Sequence, residues 1–166
     1  MKLRLLLLSE CNRTCKGCCN KDWDLDELPS CQSFESFDEI FLTGGEPLLV
    51  PDLLFSVTKK IRQISPAKIY VYTAWREDPN LLLSVLNAVD GLTLTLHTRK
   101  DTGPFEIFSK MVTEQEAFKG KSLRLNVFNG VTTGEADVSN WDVRRGIRWI
   151  KDCPLPTDEV FMRLAA

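Results

Sequence analysis

The stretch Cys11-Asn12-Arg13-Thr14-Cys15-Lys16-Gly17-Cys18-Cys19 contains four of the chain's six cysteines. It follows the largely apolar run of residues 3–8, which predicts a buried first strand. A loop that leaves a buried strand can direct several thiolates towards one place, and thiolates are soft ligands that suit iron–sulfur clusters and zinc. The stretch therefore predicts a metal site at the end of a strand.

The spacing within the stretch distinguishes between these metals. Cys11, Cys15 and Cys18 form a C-x3-C-x2-C triplet, and no second cysteine pair follows downstream. Structural zinc sites usually take two pairs of ligands, whereas this triplet supplies three ligands and leaves one position open. A structural zinc loop completed by Cys19 or Cys31 is the alternative.

A second motif, Leu42-Thr43-Gly44-Gly45-Glu46-Pro47, follows another strand-like run. Two glycines at a strand-to-helix turn have structural uses of their own and are weak evidence alone. Together, the two motifs resemble those of the radical S-adenosylmethionine (SAM) enzymes over residues 3–47.

The resemblance implies a site for two cofactors. Cys11, Cys15 and Cys18 would hold a [4Fe-4S] cluster whose fourth iron binds SAM, and the turn Gly44-Gly45-Glu46 would contact the methionine amino group. The chain departs from the family at Gly17, where an aromatic residue that packs on the adenine is common. Another side chain must make that contact, or the contact is absent.

The resemblance also implies an enzyme. The reduced cluster would cleave SAM to methionine and a 5′-deoxyadenosyl radical that abstracts hydrogen from a substrate, with a reducing partner such as flavodoxin or ferredoxin. The small size is similar to that of the enzymes that place a glycyl radical on a partner protein, such as the anaerobic ribonucleotide reductase activase. A small molecule or peptide substrate is one alternative, and a non-catalytic zinc or iron–sulfur module is the other.

The rest of the chain alternates between strand-like and helical patterns. Such alternation predicts an α/β fold with a mostly parallel sheet, and six strands of this order are similar to a partial (β/α)6 barrel in a single domain of residues 1–166. The pattern of residues 20–38 predicts a loop with a short helix. Residues 129–158 have an irregular pattern, with a short helix or strand predicted at 142–150. The predicted strands are residues 3–8, 39–43, 68–73, 92–97, 122–128 and 159–164, and the predicted helices are residues 52–64, 80–89 and 105–118.

Several polar residues lie at or near the carboxyl ends of these strands. Thr95 and the only histidine, His97, share one face of the fourth strand because side chains alternate with period two. Radical SAM enzymes bind the ribose and methionine carboxylate from this strand, so we expect both residues to contact SAM. Thr73 and Asn126 are further candidates, although Asn126 could simply satisfy buried backbone groups.

The remaining cysteines are not expected to bind a metal. A fourth thiolate from Cys19 would fill the iron that SAM must reach, so Cys19 is expected to point into the fold as a small apolar side chain. Cys31 and Cys153 are expected to be ordinary thiols, either buried or at the surface. Because four cysteines in one short loop cannot pair among themselves in good geometry, the reducing cytoplasm is the expected location.

Composition sets further limits. The net charge is −2, and acidic and basic residues are interspersed, so a nucleic acid is not an expected partner. No run approaches the roughly 20 apolar residues that a membrane span requires, so a membrane is not expected either. One basic cluster stands out near the carboxyl terminus, where the alternatives are a solvated face and a docking surface for an electron donor or an acidic protein substrate. It comprises Arg144, Arg145, Arg148 and Lys151, and lies among Trp141, Trp149 and Ile150.

Overall fold

A computed structural model describes every residue from Met1 to Ala166. The chain has an α/β fold with three α-helices and a mostly parallel sheet of eight strands that is not closed. The strands are β1 (Lys2–Leu6), β2 (Ser30–Cys31), β3 (Glu39–Thr43), β4 (Lys68–Thr73), β5 (Gly91–Leu96), β6 (Ser122–Phe128), β7 (Asp142–Ile147) and β8 (Glu159–Leu164). The helices are α1 (Pro51–Ile64), α2 (Pro79–Ala88) and α3 (Thr102–Thr113).

All six predicted strands are present, and the structure adds β2 and β7. Within the region 142–150, residues Asp142–Ile147 form a strand, one of the two predicted alternatives. The segment 20–38 has only a 3₁₀ turn at Cys19–Asp22 and the two residues of β2. The α-helices follow β3, β4 and β5, so a helix does not follow every strand as a six-fold β/α repeat requires.

The predicted helices are confirmed, and the bounds of the third helix are corrected. The expected helix 105–118 begins earlier, at Thr102, and ends at Thr113, and a separate 3₁₀ turn covers Glu116–Phe118. Helix α2 shows why these helices start where they do. Pro79 is its first residue, and the Asp78 carboxylate accepts hydrogen bonds from the backbone N–H groups of Asn80 and Leu81.

No helix combines the length and apolar character that crossing a membrane requires.

The chain forms two compact units, which are described separately. The first unit comprises Met1–Val71 and Trp149–Ala166. Its strands lie in the order β2-β8-β1-β3-β4, and β1 pairs in parallel with both β3 and β8. Leu3 and Leu5 of β1 are fully buried. Because β8 lies beside β1, the carboxyl-terminal segment of the chain reaches the strand that leads into the cysteine loop.

The second unit comprises Tyr72–Arg148. Its strands β5, β6 and β7 pair in parallel. Trp141 is buried and packs edge-on against Phe105 and Phe108, with ring centroids 5.2 and 6.2 Å away. Trp141, from the predicted basic cluster, is therefore a core residue of this unit.

Candidate metal and cofactor site

The cysteine loop and the glycine turn lie together at one edge of the first unit. The loop follows β1 and the turn follows β3, and the carboxyl ends of neighbouring parallel strands lie at the same edge of a sheet. Backbone hydrogen bonds join the two segments beyond the strands. Gly45 N–H donates to the Leu8 carbonyl at 3.0 Å, and Glu46 N–H donates to the Glu10 carbonyl at 2.9 Å.

Space, rather than backbone conformation, explains the two glycines of the turn. Neither Gly44 nor Gly45 has a positive φ. A Cβ atom on Gly44 would lie 2.8 Å from the Leu8 carbonyl oxygen, and one on Gly45 would lie 2.6 Å from the Ser9 carbonyl oxygen. Any side chain at these positions would therefore push the start of the cysteine loop away.

Glu46 and Asn20 fix the turn from its two sides. The Glu46 side chain is 2% exposed, and its Oε1 accepts a hydrogen bond from Leu48 N–H at 3.1 Å, which orders the start of a 3₁₀ turn. Asn20 Nδ2 donates to the Gly44 carbonyl at 2.8 Å, so the segment after the cysteines also holds the turn. Glu46 thus has a structural use, and the sequence analysis missed the contact made by Asn20.

The three cysteines of the triplet line one cavity of about 330 Å³. Since one water occupies about 30 Å³ in the liquid, this cavity has room for a group many times larger. Gly45, from the glycine turn, also contributes to the wall. The full lining is Ser9, Cys11, Arg13, Cys15, Cys18, Asn20, Lys21, Leu25 and Gly45.

The thiols share this cavity without converging on a single ion. No group of three or more His, Cys, Asp or Glu side chains in the chain is arranged to hold a metal ion. A zinc ion needs every sulfur ligand about 2.3 Å from one point, whereas the thiolates of a multi-iron cluster bind different irons and stand further apart. Three thiols around one roomy cavity have the donor chemistry that an iron–sulfur cluster takes.

The thiols of Cys11 and Cys15 resist ionisation. Burial raises the pKa of the Cys11 thiol, and the nearby Glu46 carboxylate and Cys18 act in the same direction, although a backbone hydrogen bond from Arg13 opposes them. Burial likewise raises the pKa of Cys15. Because a metal binds the thiolate, loading the site must release protons from these cysteines.

Cys19 and Cys153 form a disulfide, which corrects the expectation for both residues. Their Cα atoms are 5.5 Å apart, within the usual range for such a bond. Cys19 was expected to be a small apolar side chain and Cys153 an ordinary thiol. The expectation was wrong because it considered disulfides only among the four clustered cysteines and not with a distant one. The expected reducing compartment was based on the same reasoning, so that argument for it no longer holds.

The disulfide leaves Cys11, Cys15 and Cys18 as the free cysteines of the loop. Cys31, the remaining free cysteine, lies in β2 and is 4% exposed. Its thiol donates to the Ser33 carbonyl at 3.3 Å, so it is a buried thiol, one of the two expected alternatives.

The indole ring of Trp149 lies directly against Gly17 in the cysteine loop. A Cβ atom on Gly17 would lie 2.7 Å from both Cβ and Cδ1 of Trp149, so a side chain at position 17 would overlap the ring. Trp149 nevertheless remains 41% exposed. Sequence reasoning placed Trp149 only within a basic cluster, and no local pattern signals its contact with Gly17.

The other predicted SAM contacts lie in the second unit, where three of them are neighbours. Thr95 of β5 and Asn126 of β6 are register partners, so their side chains occupy the same face of the sheet. His97 follows the end of β5, and its ring stacks obliquely on Phe128, with centroids 4.7 Å apart. Thr73 is separate from this group: its buried hydroxyl accepts a hydrogen bond from Trp75 N–H at 2.9 Å.

A buried carboxylate that the sequence analysis missed shapes the loop after β5. Asp101 is 2% exposed and accepts hydrogen bonds from the backbone N–H groups of His97 and Thr98, at 2.8 and 2.9 Å. Arg76 Nη1 contacts its other oxygen at 2.8 Å. Thr98 and Asp101 form a capping box, and the spacing T-x-x-D is the sequence signal that could have revealed it.

Comparison of the chain with protein-family models, with curated proteins and with solved structures found no match.

Proposed function

We propose that this chain is a radical SAM enzyme with a partial-barrel architecture. The observation that carries the proposal is the shared cavity, in which Cys11, Cys15 and Cys18 stand around the same space as Gly45. Two motifs separated in the sequence thus contribute to one wall.

The number of available thiols supports the proposal. A cluster that must bind SAM needs three protein ligands and one open iron. The disulfide removes Cys19, the only other cysteine in the loop, from the set of ligands. While the disulfide is intact, Cys19 therefore does not compete with SAM for the open iron.

Each residue of the site has a proposed task. The three thiolates hold the cluster, and Arg13 and Lys21, which line the cavity, offset the negative charge that the thiolates bring. The Gly44–Glu46 turn receives the methionine end of SAM. When bound, the cluster and SAM supply reductive cleavage and hydrogen abstraction.

The proposed reaction needs an electron donor such as flavodoxin or ferredoxin. We propose a partner protein as the substrate, as in the glycyl-radical activases. A small molecule or peptide is the alternative substrate.

The decisive experiment is anaerobic reconstitution with iron and sulfide. The proposal predicts about four irons and four sulfides per chain, as a [4Fe-4S] cluster requires, and 5′-deoxyadenosine after addition of SAM and reductant. Cys11→Ala should lose both. Cys31→Ala is the matched control, since it removes a thiol of the same unit outside the cavity and should retain both.

The same measurements test the rival class. One zinc per chain would identify a zinc module. A stable cluster that neither binds nor cleaves SAM would identify a non-catalytic iron–sulfur module.

A further inference from the structure

The carboxyl-terminal segment of the first unit reaches back to the cysteine loop at two neighbouring points. Trp149 lies against Gly17, and Cys153 is bonded to Cys19 two residues further along the loop. The ring therefore has a covalent anchor four residues away in its own segment. Its placement on the loop does not depend on one van der Waals contact.

The ring's setting differs from that of a core tryptophan. Trp149 is 41% exposed, whereas Trp141 is 7% exposed. An aromatic ring gains its stabilisation by burial, so a half-exposed ring fixed on the cysteine loop has surface left to contact a ligand. Gly17, on which it lies, is between Cys15 and Cys18, and both of these cysteines line the cavity.

From this geometry we infer that Trp149 is the aromatic surface on which the adenine of SAM stacks. The inference rests on the proposed function. It assigns the adenine contact to a residue far from the cysteine motif, at a place where Gly17 has no side chain to offer. Gly17 is then required, because any larger residue would occupy the position of the indole ring.

The backbone near the anchor is consistent with a segment constrained to reach this position. Asp152 and Cys153 have φ values of 63° and 35°, and they are the only non-glycine residues of the chain with positive φ. Such conformations are unfavourable for residues with a Cβ and persist only where the surroundings impose them. Here the disulfide and the contact at Gly17 impose the path of the segment.

The test is the affinity of the reconstituted protein for three ligands: SAM, S-adenosylhomocysteine and methionine. Base stacking on an aromatic ring contributes enough that Trp149→Ala should raise the dissociation constants of SAM and S-adenosylhomocysteine by about fivefold or more. Methionine has no adenine, so its affinity should not change. Equilibrium dialysis measures all three without relying on turnover.

Two further variants separate stacking from a structural role. Ile150→Ala, which removes the exposed side chain next to Trp149, is the matched control and should leave all three affinities unchanged. Trp149→Phe should retain most of the SAM affinity because it keeps an aromatic face. A melting curve for each variant, with and without SAM, shows whether the fold is intact.

Moving the aromatic ring from position 149 to position 17 gives the sharpest test. Gly17→Phe alone should weaken SAM binding, because the new ring and the indole compete for one space. Gly17→Phe combined with Trp149→Ala should recover most of the lost affinity, since an aromatic ring again lies on the cysteine loop.

The outcomes for the inference and for the proposed function can be distinguished. If Trp149→Ala binds SAM as tightly as the wild type does, or loses methionine affinity to the same extent, the stacking role is refuted and the proposed function stands. If the wild-type protein assembles a cluster but binds no SAM, the proposed function fails, and this inference fails with it.

Discussion

Removing the Cys19–Cys153 disulfide should cost a large share of the stability of this chain. The bond closes a loop between cysteines that are 134 positions apart. For a loop of this length the chain-entropy relation gives about 5 kcal/mol at about 25 °C, because the bond restricts the unfolded chain. Cys153→Ala removes this restriction with little change in buried side-chain volume, since Cys153 is only half-buried.

Backbone strain reduces the expected net effect. Asp152 and Cys153 both adopt left-handed conformations, with φ of 63° and 35°, each of which costs about 1 kcal/mol for a residue with a Cβ. When the bond is absent the segment can relax and recover this energy. We therefore expect Cys153→Ala to lower the free energy of unfolding by about 3 kcal/mol, against a typical total of about 5–15 kcal/mol.

Urea unfolding, followed by far-ultraviolet circular dichroism, measures the loss. The wild type with reductant should match Cys153→Ala without it. Cys19→Ala combined with Cys153→Ala should be no less stable than Cys153→Ala alone, because the second substitution removes no further bond. A non-reducing tryptic digest should contain the peptide 17–21 joined to 152–163. The reasoning is refuted if that cross-link is present and reduction leaves the unfolding midpoint unchanged.

Three other substitutions test the fold and the proposed site. Gly45→Ala should destabilise the chain by about 1–3 kcal/mol, as forced overpacking does. Gly103→Ala is the control, because this helical glycine has open space around it, and it should be neutral or stabilising by up to about 1 kcal/mol. Equal effects of the two substitutions in urea unfolding would contradict the close packing of the glycine turn. Asp101→Ala should lower the free energy of unfolding by about 3 kcal/mol, because it leaves Arg76 without its carboxylate and two backbone N–H groups without their acceptor. A loss below about 1 kcal/mol would show that other contacts stabilise the loop after β5. His97→Ala should raise the dissociation constant of SAM several-fold, measured by equilibrium dialysis on the reconstituted protein. An unchanged value would refute a contact between His97 and SAM.

Local patterns predicted the strands and the meeting of the two motifs. The strand pattern of residues 39–43 matches β3 residue for residue, since a run of β-prone residues depends little on the rest of the chain. Once β1 and β3 are parallel neighbours, the cysteine loop and the glycine turn must lie at one edge. Their shared cavity therefore follows from strand order and from the position of each motif after its strand.

Contacts between distant residues were not predictable in this way. The pairing of Cys19 with Cys153 depends on β8 lying beside β1, which brings the end of the chain to the cysteine loop. Neither the periodicity nor the spacing of the cysteines contains that information. The burial of Asp101 and its contact with Arg76 likewise depend on how the second unit packs.

Gly17 shows how a local departure from a motif can have a distant cause. Within the motif, glycine reads as the loss of an aromatic ring. In the folded chain the same glycine is the only residue that leaves room for the indole of Trp149. The two positions therefore constrain each other: a ring at position 17 excludes one from residue 149, and a ring from residue 149 requires glycine at position 17. A motif that lacks one expected side chain should accordingly be judged with the segments that pack on it, since the missing group can be supplied by a part of the chain that no spacing rule includes.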